Sequence, residues 1–257
     1  MEDLFYLFLI VGFLAQLVDG ALGMAYGVVS SSVLLAFGVP PAAASASVHA
    51  AELFTTAASA GSHAWHRNID WKLFRRLAPV GIAGGVLGTY IVTAIDGSLL
   101  RPFVAAYLGL MGVYILYRGI RGVAPRVEPA SGVVLPLGAV GGFMDAIGGG
   151  GWGPVVTTGL IGSGGTPRQV IGTVNTVEFF LTAAISAAFI LAVVTGHWEE
   201  SEGLTSYLWP VLGLIIGGVV AAPLAGYVTR IIPARNLTII VGVLIFALAI
   251  HQTWRLL

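Results

Sequence analysis

The chain has 257 residues, 57% of them hydrophobic and only 9% charged, with no cysteine and a mean hydropathy of +0.92. A soluble domain carries charge on about a quarter of its residues, and here twelve basic and twelve acidic residues cancel; an ordinary soluble fold and a nucleic-acid-binding surface are both excluded. Without cysteine there are no disulfides, thiolate metal sites or Fe–S clusters.

A helix needs about 20 apolar residues to span a bilayer, and backbone in lipid must satisfy its own hydrogen bonds. Apolar stretches recur from end to end, so an all-α polytopic membrane protein is expected. The start, Met-Glu-Asp, lacks a basic lead-in, and no cleaved signal peptide is expected. The run over residues 3–37 is too long for one ordinary span and is interrupted by Asp19-Gly20 and Gly23, which predicts a broken or re-entrant hairpin. Helices at 41–65, 74–96 and 100–120 complete a first unit over 1–122. A second unit over 130–257 repeats the order: a hairpin at 132–163 interrupted by Asp145 and the glycines at 148–151, then helices at 167–195, 206–230 and 234–255.

The two units are copies. An offset of 126 residues pairs Gly12 with Gly138, Asp19 with Asp145, Gly23 with Gly149, Pro41 with Pro167, Glu52 with Glu178 and Phe54 with Phe180. Farther on the offset grows to 133, pairing Gly85 with Gly218 and Gly109 with Gly242. Such self-similarity marks internal duplication. Basic residues collect in cytoplasmic loops, yet equivalent loops differ in sign: Arg67, Lys72, Arg75 and Arg76 correspond to Glu199, Glu200 and Glu202. Opposite signs imply inverted repeats, which requires an odd number of crossings per unit and so favours a re-entrant hairpin before three transmembrane helices. Arg118, Arg121 and Arg126 put the connection between units in the cytoplasm and both termini outside.

Four acids lie inside apolar segments: Asp19, Glu52, Asp145 and Glu178. Ionisable groups at membrane depth are costly and by default functional. The aspartates have an equally good structural reading, accepting backbone N–H bonds at the broken helices. The glutamates lie mid-helix, without capping duty, which favours the translocation path. His49 precedes Glu52 by three residues, as Asn175 precedes Glu178, so each pair shares a helix face. His49 with Glu52 suits proton coupling or a plain interhelical hydrogen bond. The spacing also resembles metal ligation, but one pair without further ligands is a weak signal; no metal and no cofactor are expected. The turns DGALGMAYG at 19–27 and DAIGGGGWG at 145–153 are the most distinctive local features. Glycine lets backbone N–H groups approach an anion, and a following helix N-terminus adds partial positive charge. Close helix packing through small residues is the competing explanation. Tyr26 and Trp152 occupy matching places, where they gate a cavity or simply pack. His63, Trp65 and His66, and Arg168 beside Pro167, read as interfacial anchors.

With the paired turns, Pro41 and Pro167, and the stretches SVHAAELFTTAASA and TVNTVEFFLTAAISA, the whole chain resembles the TauE/SafE family of sulfite exporters. The resemblance implies an inner-membrane permease for sulfite, sulfoacetate or another small sulfur-containing organic anion. The expected mechanism is alternating access with the anion at the midplane between the two turns, bound by Gly20, Gly23, Tyr26, Gly149, Gly150 and Trp152. Ser47, His49, Thr173 and Asn175 would complete its hydrogen bonding, and Asp19, Glu52, Asp145 and Glu178 would be coupling or structural acids. Four buried acids without a buried Lys or Arg look more natural for a cation, so a proton- or cation-coupled permease for another small solute stays open. So does an intramembrane hydrolase using His49 and Glu52, although no nucleophile elbow or HExxH pattern appears. Lipid and a small anion are the expected partners; monomer and homodimer both fit.

Overall fold

The computed structural model describes residues 2–121, 131–198, 207–224 and 233–254. Among these there are helices and no strands. In chain order they are α1 (Glu2–Leu22), α2 (Tyr26–Ala36), α3 (Pro41–Trp65), α4 (Trp71–Ala94), α5 (Gly97–Arg121) and α6 (Ser131–Gly148). A π-helical turn (Gly153–Thr157) leads into α7 (Thr158–Gly162), followed by α8 (Pro167–Val194), α9 (Leu208–Ala221) with a short 3-10 extension (Ala222–Leu224), and α10 (Ala234–Trp254). Four of them, α4, α5, α8 and Arg235–Trp254 of α10, are long and apolar enough to cross a membrane. The acidic loop at Glu199, Glu200 and Glu202, the connection around Arg126 and the end of the expected helix 206–230 lie outside the described residues.

Local chemistry sets the boundaries. α3 and α8 open with Pro41 and Pro167 at their first position, where the fixed φ suits a helix and the missing N–H costs nothing. α4 begins at Trp71 rather than 74 because Asp70 caps it, accepting from the N–H groups of Lys72 (2.9 Å) and Leu73 (3.1 Å). α1 and α6 end alike. Gly23 (φ +68°) donates to the carbonyl of Asp19 at 2.6 Å, and Gly149 (φ +64°) to that of Asp145 at 2.7 Å. Only glycine adopts this left-handed conformation without strain. Both segments are therefore broken, at the expected glycines and not at the aspartates. Asp19, Gly20 and Asp145 are still helical, and the breaks fall at 23–25 and 149–151.

Packing exchanges elements between the two halves. α1 lies along α9 and α6 along α4, while α3 packs on α8 and α5 on α10. Exchanging the halves carries each contact into another of the same set. Small residues permit the close approach: a Cβ on Gly88 of α4 would stand 2.7 Å from the Phe143 carbonyl oxygen of α6, and one on Gly213 of α9 would stand 2.5 Å from that of Phe5 on α1. Large apolar side chains such as Ile10, Leu87, Leu110, Ile190 and Ile240 face outward, while Ser30, Ser31, His49, Thr89 and Thr173 are buried. This inversion of the soluble pattern suits a protein whose outer solvent is lipid.

Candidate functional site at the crossing of two broken helices

The two breaks meet. Gly27 sits so close to the facing turn that a Cβ there would come within 2.7 Å of the Gly149 carbonyl oxygen and 2.8 Å of Gly150 Cα; one on Gly153 would come within 2.8 Å of Met24 Cα. The Ser31 hydroxyl donates to the Gly149 carbonyl at 2.6 Å, and the Thr157 hydroxyl donates to the Gly23 carbonyl at 3.2 Å. Ser31 and Thr157 are 126 residues apart, as are Gly23 and Gly149. The two bonds are one interaction made in both directions. Neither hydroxyl was singled out from sequence, although their register match is visible there.

Each aspartate spans its own break. Asp19 Oδ1 accepts from the Tyr26 N–H at 3.3 Å; Asp145 Oδ1 accepts from the N–H groups of Gly151 (2.7 Å) and Trp152 (2.9 Å). A carboxylate at a helix N-terminus is favoured by the dipole and the free donors. The N–H groups expected to hold an anion thus already hold one belonging to the chain.

Beyond this the halves differ. Asp145 Oδ2 lies 3.1 Å from His49 Nε2, and both residues are buried. His49 Nδ1 lies 2.8 Å from the carbonyl oxygen of Ser45 and 3.2 Å from its hydroxyl, which itself donates to the Ala146 carbonyl at 2.5 Å. Ser45, His49 and Asp145 follow the order of a hydrolytic triad, but the serine hydroxyl donates to the Ala146 carbonyl rather than to His49. One turn on, Glu52 is buried with Oε2 unpartnered; His49, Glu52 and Asp145 bring donor atoms within 4.8 Å of one another. The sequence offered only the His49–Glu52 pair, and Asp145 is the third member it lacked. In the other half Asn175 turns away from Asp19: its Nδ2 donates to the Ser59 hydroxyl at 3.1 Å, and its Oδ1 has no partner. Glu178 is buried on α8.

Other candidates have structural engagements. Tyr26 and Trp152 are buried, the Tyr26 hydroxyl donating to the Leu214 carbonyl (2.9 Å) and the Trp152 Nε1–H to the Val174 carbonyl (3.2 Å). They pack. The Ser47 hydroxyl donates to Ala43 O within its own helix at 2.7 Å. Thr173 accepts from the Asp70 N–H at 2.8 Å, tying the entrance of α4 to α8. Gly20 is exposed on α1 and stays outside the crossing. Arg168 is exposed and binds Asn68 Oδ1 (2.6 Å) and the His66 carbonyl (3.2 Å).

A membrane bundle in which two interrupted helices meet is the architecture of a membrane transporter. The chain belongs to the TauE/SafE family: the family described as "Sulfite exporter TauE/SafE" matches residues 8–251. It is 40% identical, over 96% of its length and 83% of the relative's, to the "Probable membrane transporter protein YtnM" of Bacillus subtilis. It is also 29% identical to a "Probable membrane transporter protein" of Xylella fastidiosa strain Temecula1, over 76% of this chain and 73% of that one. No solved structure matches the chain.

Proposed function

We propose that the protein exports sulfite or a related small sulfur-containing anion across the inner membrane by alternating access, its two halves being inverted repeats that rock about the crossing. The observation that carries this reading is the reciprocal pair of bonds, Ser31 to Gly149 and Thr157 to Gly23. Two halves that grip each other equivalently at one point have a natural pivot there, and membership of a family described as sulfite exporters supports the substrate class. The anion enters the nest at Gly151 and Trp152 by displacing Asp145 Oδ1, and in the matching half the Asn175 Nδ2, which now donates to Ser59, is the donor offered to it. An inside-negative potential favours outward movement by about 2.3 kcal/mol per charge per 100 mV, so no coupling ion is required. With the connection between halves cytoplasmic, both termini are external.

The unpartnered Glu52 Oε2 favours a second reading, a proton- or cation-coupled permease for another solute. Melting temperatures of the purified protein with sulfite, sulfate, thiosulfate, sulfoacetate and chloride at equal ionic strength separate the two, because a ligand specific for the native state raises them. Selective stabilisation by sulfite or a sulfonate, lost in Asn175→Ala, supports export of the anion. Stabilisation by no anion, with a response to a cation or to acid pH, supports the permease.

A further inference from the structure

We propose that His49, Glu52 and Asp145 bind a divalent transition-metal cation that joins the two halves. The site exists independently of the anion reading; its role as a link between moving halves rests on alternating access.

The case starts from the protons of His49. Both groups beside Nδ1 are acceptors toward it, the Ser45 carbonyl at 2.8 Å and the Ser45 hydroxyl, whose own proton goes to Ala146. Nδ1 therefore carries a hydrogen, and in a neutral imidazole Nε2 is then a bare lone pair. That lone pair faces Asp145 Oδ2, another acceptor, at 3.1 Å. Something positive must lie between them. A proton there would satisfy this pair but leave Glu52 Oε2 buried and alone. One cation among the three satisfies all of them, and neither acid has a Lys or Arg partner among the described residues.

The surroundings are those of metal ligands. A metal-binding histidine donates its other ring N–H to a carbonyl or carboxylate, which fixes tautomer and orientation; Ser45 O does this for His49. Ligating carboxylates are themselves held by hydrogen bonds, and Gly151 and Trp152 hold the other oxygen of Asp145. Metal–nitrogen and metal–oxygen bonds of about 2.0–2.2 Å need donors up to about 4 Å apart, so the present limit of 4.8 Å requires only a small rotation of Glu52. One imidazole with two carboxylates suits Zn²⁺, Mn²⁺, Co²⁺ or Ni²⁺ rather than Mg²⁺ or Na⁺. His49 and Glu52 come from α3 and Asp145 from α6, so the cation bridges the halves.

The test uses the full chain purified in detergent, stripped with a chelator and titrated with Zn²⁺, Mn²⁺ and Co²⁺ against Mg²⁺ and Na⁺. One equivalent of a transition metal is expected to bind with a rise in melting temperature. Glu52→Gln should weaken binding at least about tenfold and His49→Gln should remove it, while His197→Ala, which deletes a half-buried imidazole stacked on Tyr90 and outside the three ligands, should leave it unchanged. Should the variants fail to fold, the visible spectrum of the Co²⁺ protein decides: mixed nitrogen and carboxylate ligation supports the site, and an all-imidazole or hexaaqua-like spectrum overturns it. Binding no tighter than Mg²⁺ or Na⁺, or binding retained in both folded variants, also overturns it. Anion stabilisation is read separately, so metal binding without an anion response refutes only the sulfite reading, and the converse refutes only the metal site.

Discussion

Replacing Gly27 by alanine tests the crossing most directly. The added Cβ would meet Gly149 O at 2.7 Å, Glu52 Oε1 at 2.8 Å and Gly150 Cα at 2.8 Å, where ordinary contact begins at 3.4 Å. The glutamate can swing aside; the other two are backbone atoms of the opposing turn and must retreat by about 0.6–0.7 Å. Overpacking of this kind costs about 1–3 kcal/mol. Moving Gly149 O also strains its bond from Ser31, and interhelical hydrogen bonds in membranes average about 0.6 kcal/mol with a maximum near 1.7. A total loss of about 2–4 kcal/mol is expected, read as a lowered melting temperature and a lowered midpoint of denaturant unfolding in one detergent. Gly153→Ala, the same change 126 residues on, should be comparably damaging because its Cβ meets Met24 Cα and Cβ at 2.8 Å. Gly61→Ala is the control: nothing lies within 4 Å, and helix propensity alone stabilises it by up to about 1 kcal/mol. If Gly27→Ala melts with wild type or with the control, the halves do not meet as closely as described.

Three further outcomes are expected. Ser31→Ala should cost about 0.6–1.7 kcal/mol and Thr157→Val less, since the first bond is 2.6 Å long and the second 3.2 Å; equal stability of both variants with wild type in unfolding titrations would show the crossing bonds to be idle. Asp70→Ala should lose about 1 kcal/mol by uncapping α4, and Asp70→Asn most of that loss regained, read in the same titrations. Asp96, in the loop between α4 and α5, is held below the ordinary aspartate value of 3.8 first by the Ser98 hydroxyl and then by the Ser98 N–H. Its contribution to stability is therefore complete above the unfolded value and lost as pH falls through the lower folded one. Ser98→Ala should shift the acid limb of a melting-temperature profile upward toward 3.8, and an unmoved limb would refute the assignment.

Much of the local structure was written in the residues. Pro41 and Pro167 mark the starts of α3 and α8 because proline suits only a helix's first turn, and the paired glycines mark the breaks because φ is positive there. Asp19 and Asp145 misled as to position. They do not interrupt their helices but reach forward over the break to bind the N–H groups beyond it, and only the folded turn reveals which donors those are. What lay beyond the sequence was long-range partnership. His49 finds Asp145 across 96 residues, while Asn175, its counterpart, turns to Ser59 instead of Asp19. A pattern repeated at fixed offset predicts equivalence, and the substitution of asparagine for histidine is what breaks it. Thr173, polar and well placed on α8, was spent on the Asp70 N–H.

The exchange of packing partners bears on how the molecule is made. α1 leaves the ribosome long before α9, whose flank it must cover, and α4 similarly awaits α6. During synthesis the first half therefore sits in the bilayer with an open side where Phe5, Leu9, Gly12 and Phe13 of α1 await α9. Contacts so distant in sequence are slow to form, and an unfinished half exposes its polar α3 until the second half arrives. Biogenesis is thus a closing of two interlocked halves rather than a stacking of finished ones, and truncation anywhere before α9 leaves α1 without its partner.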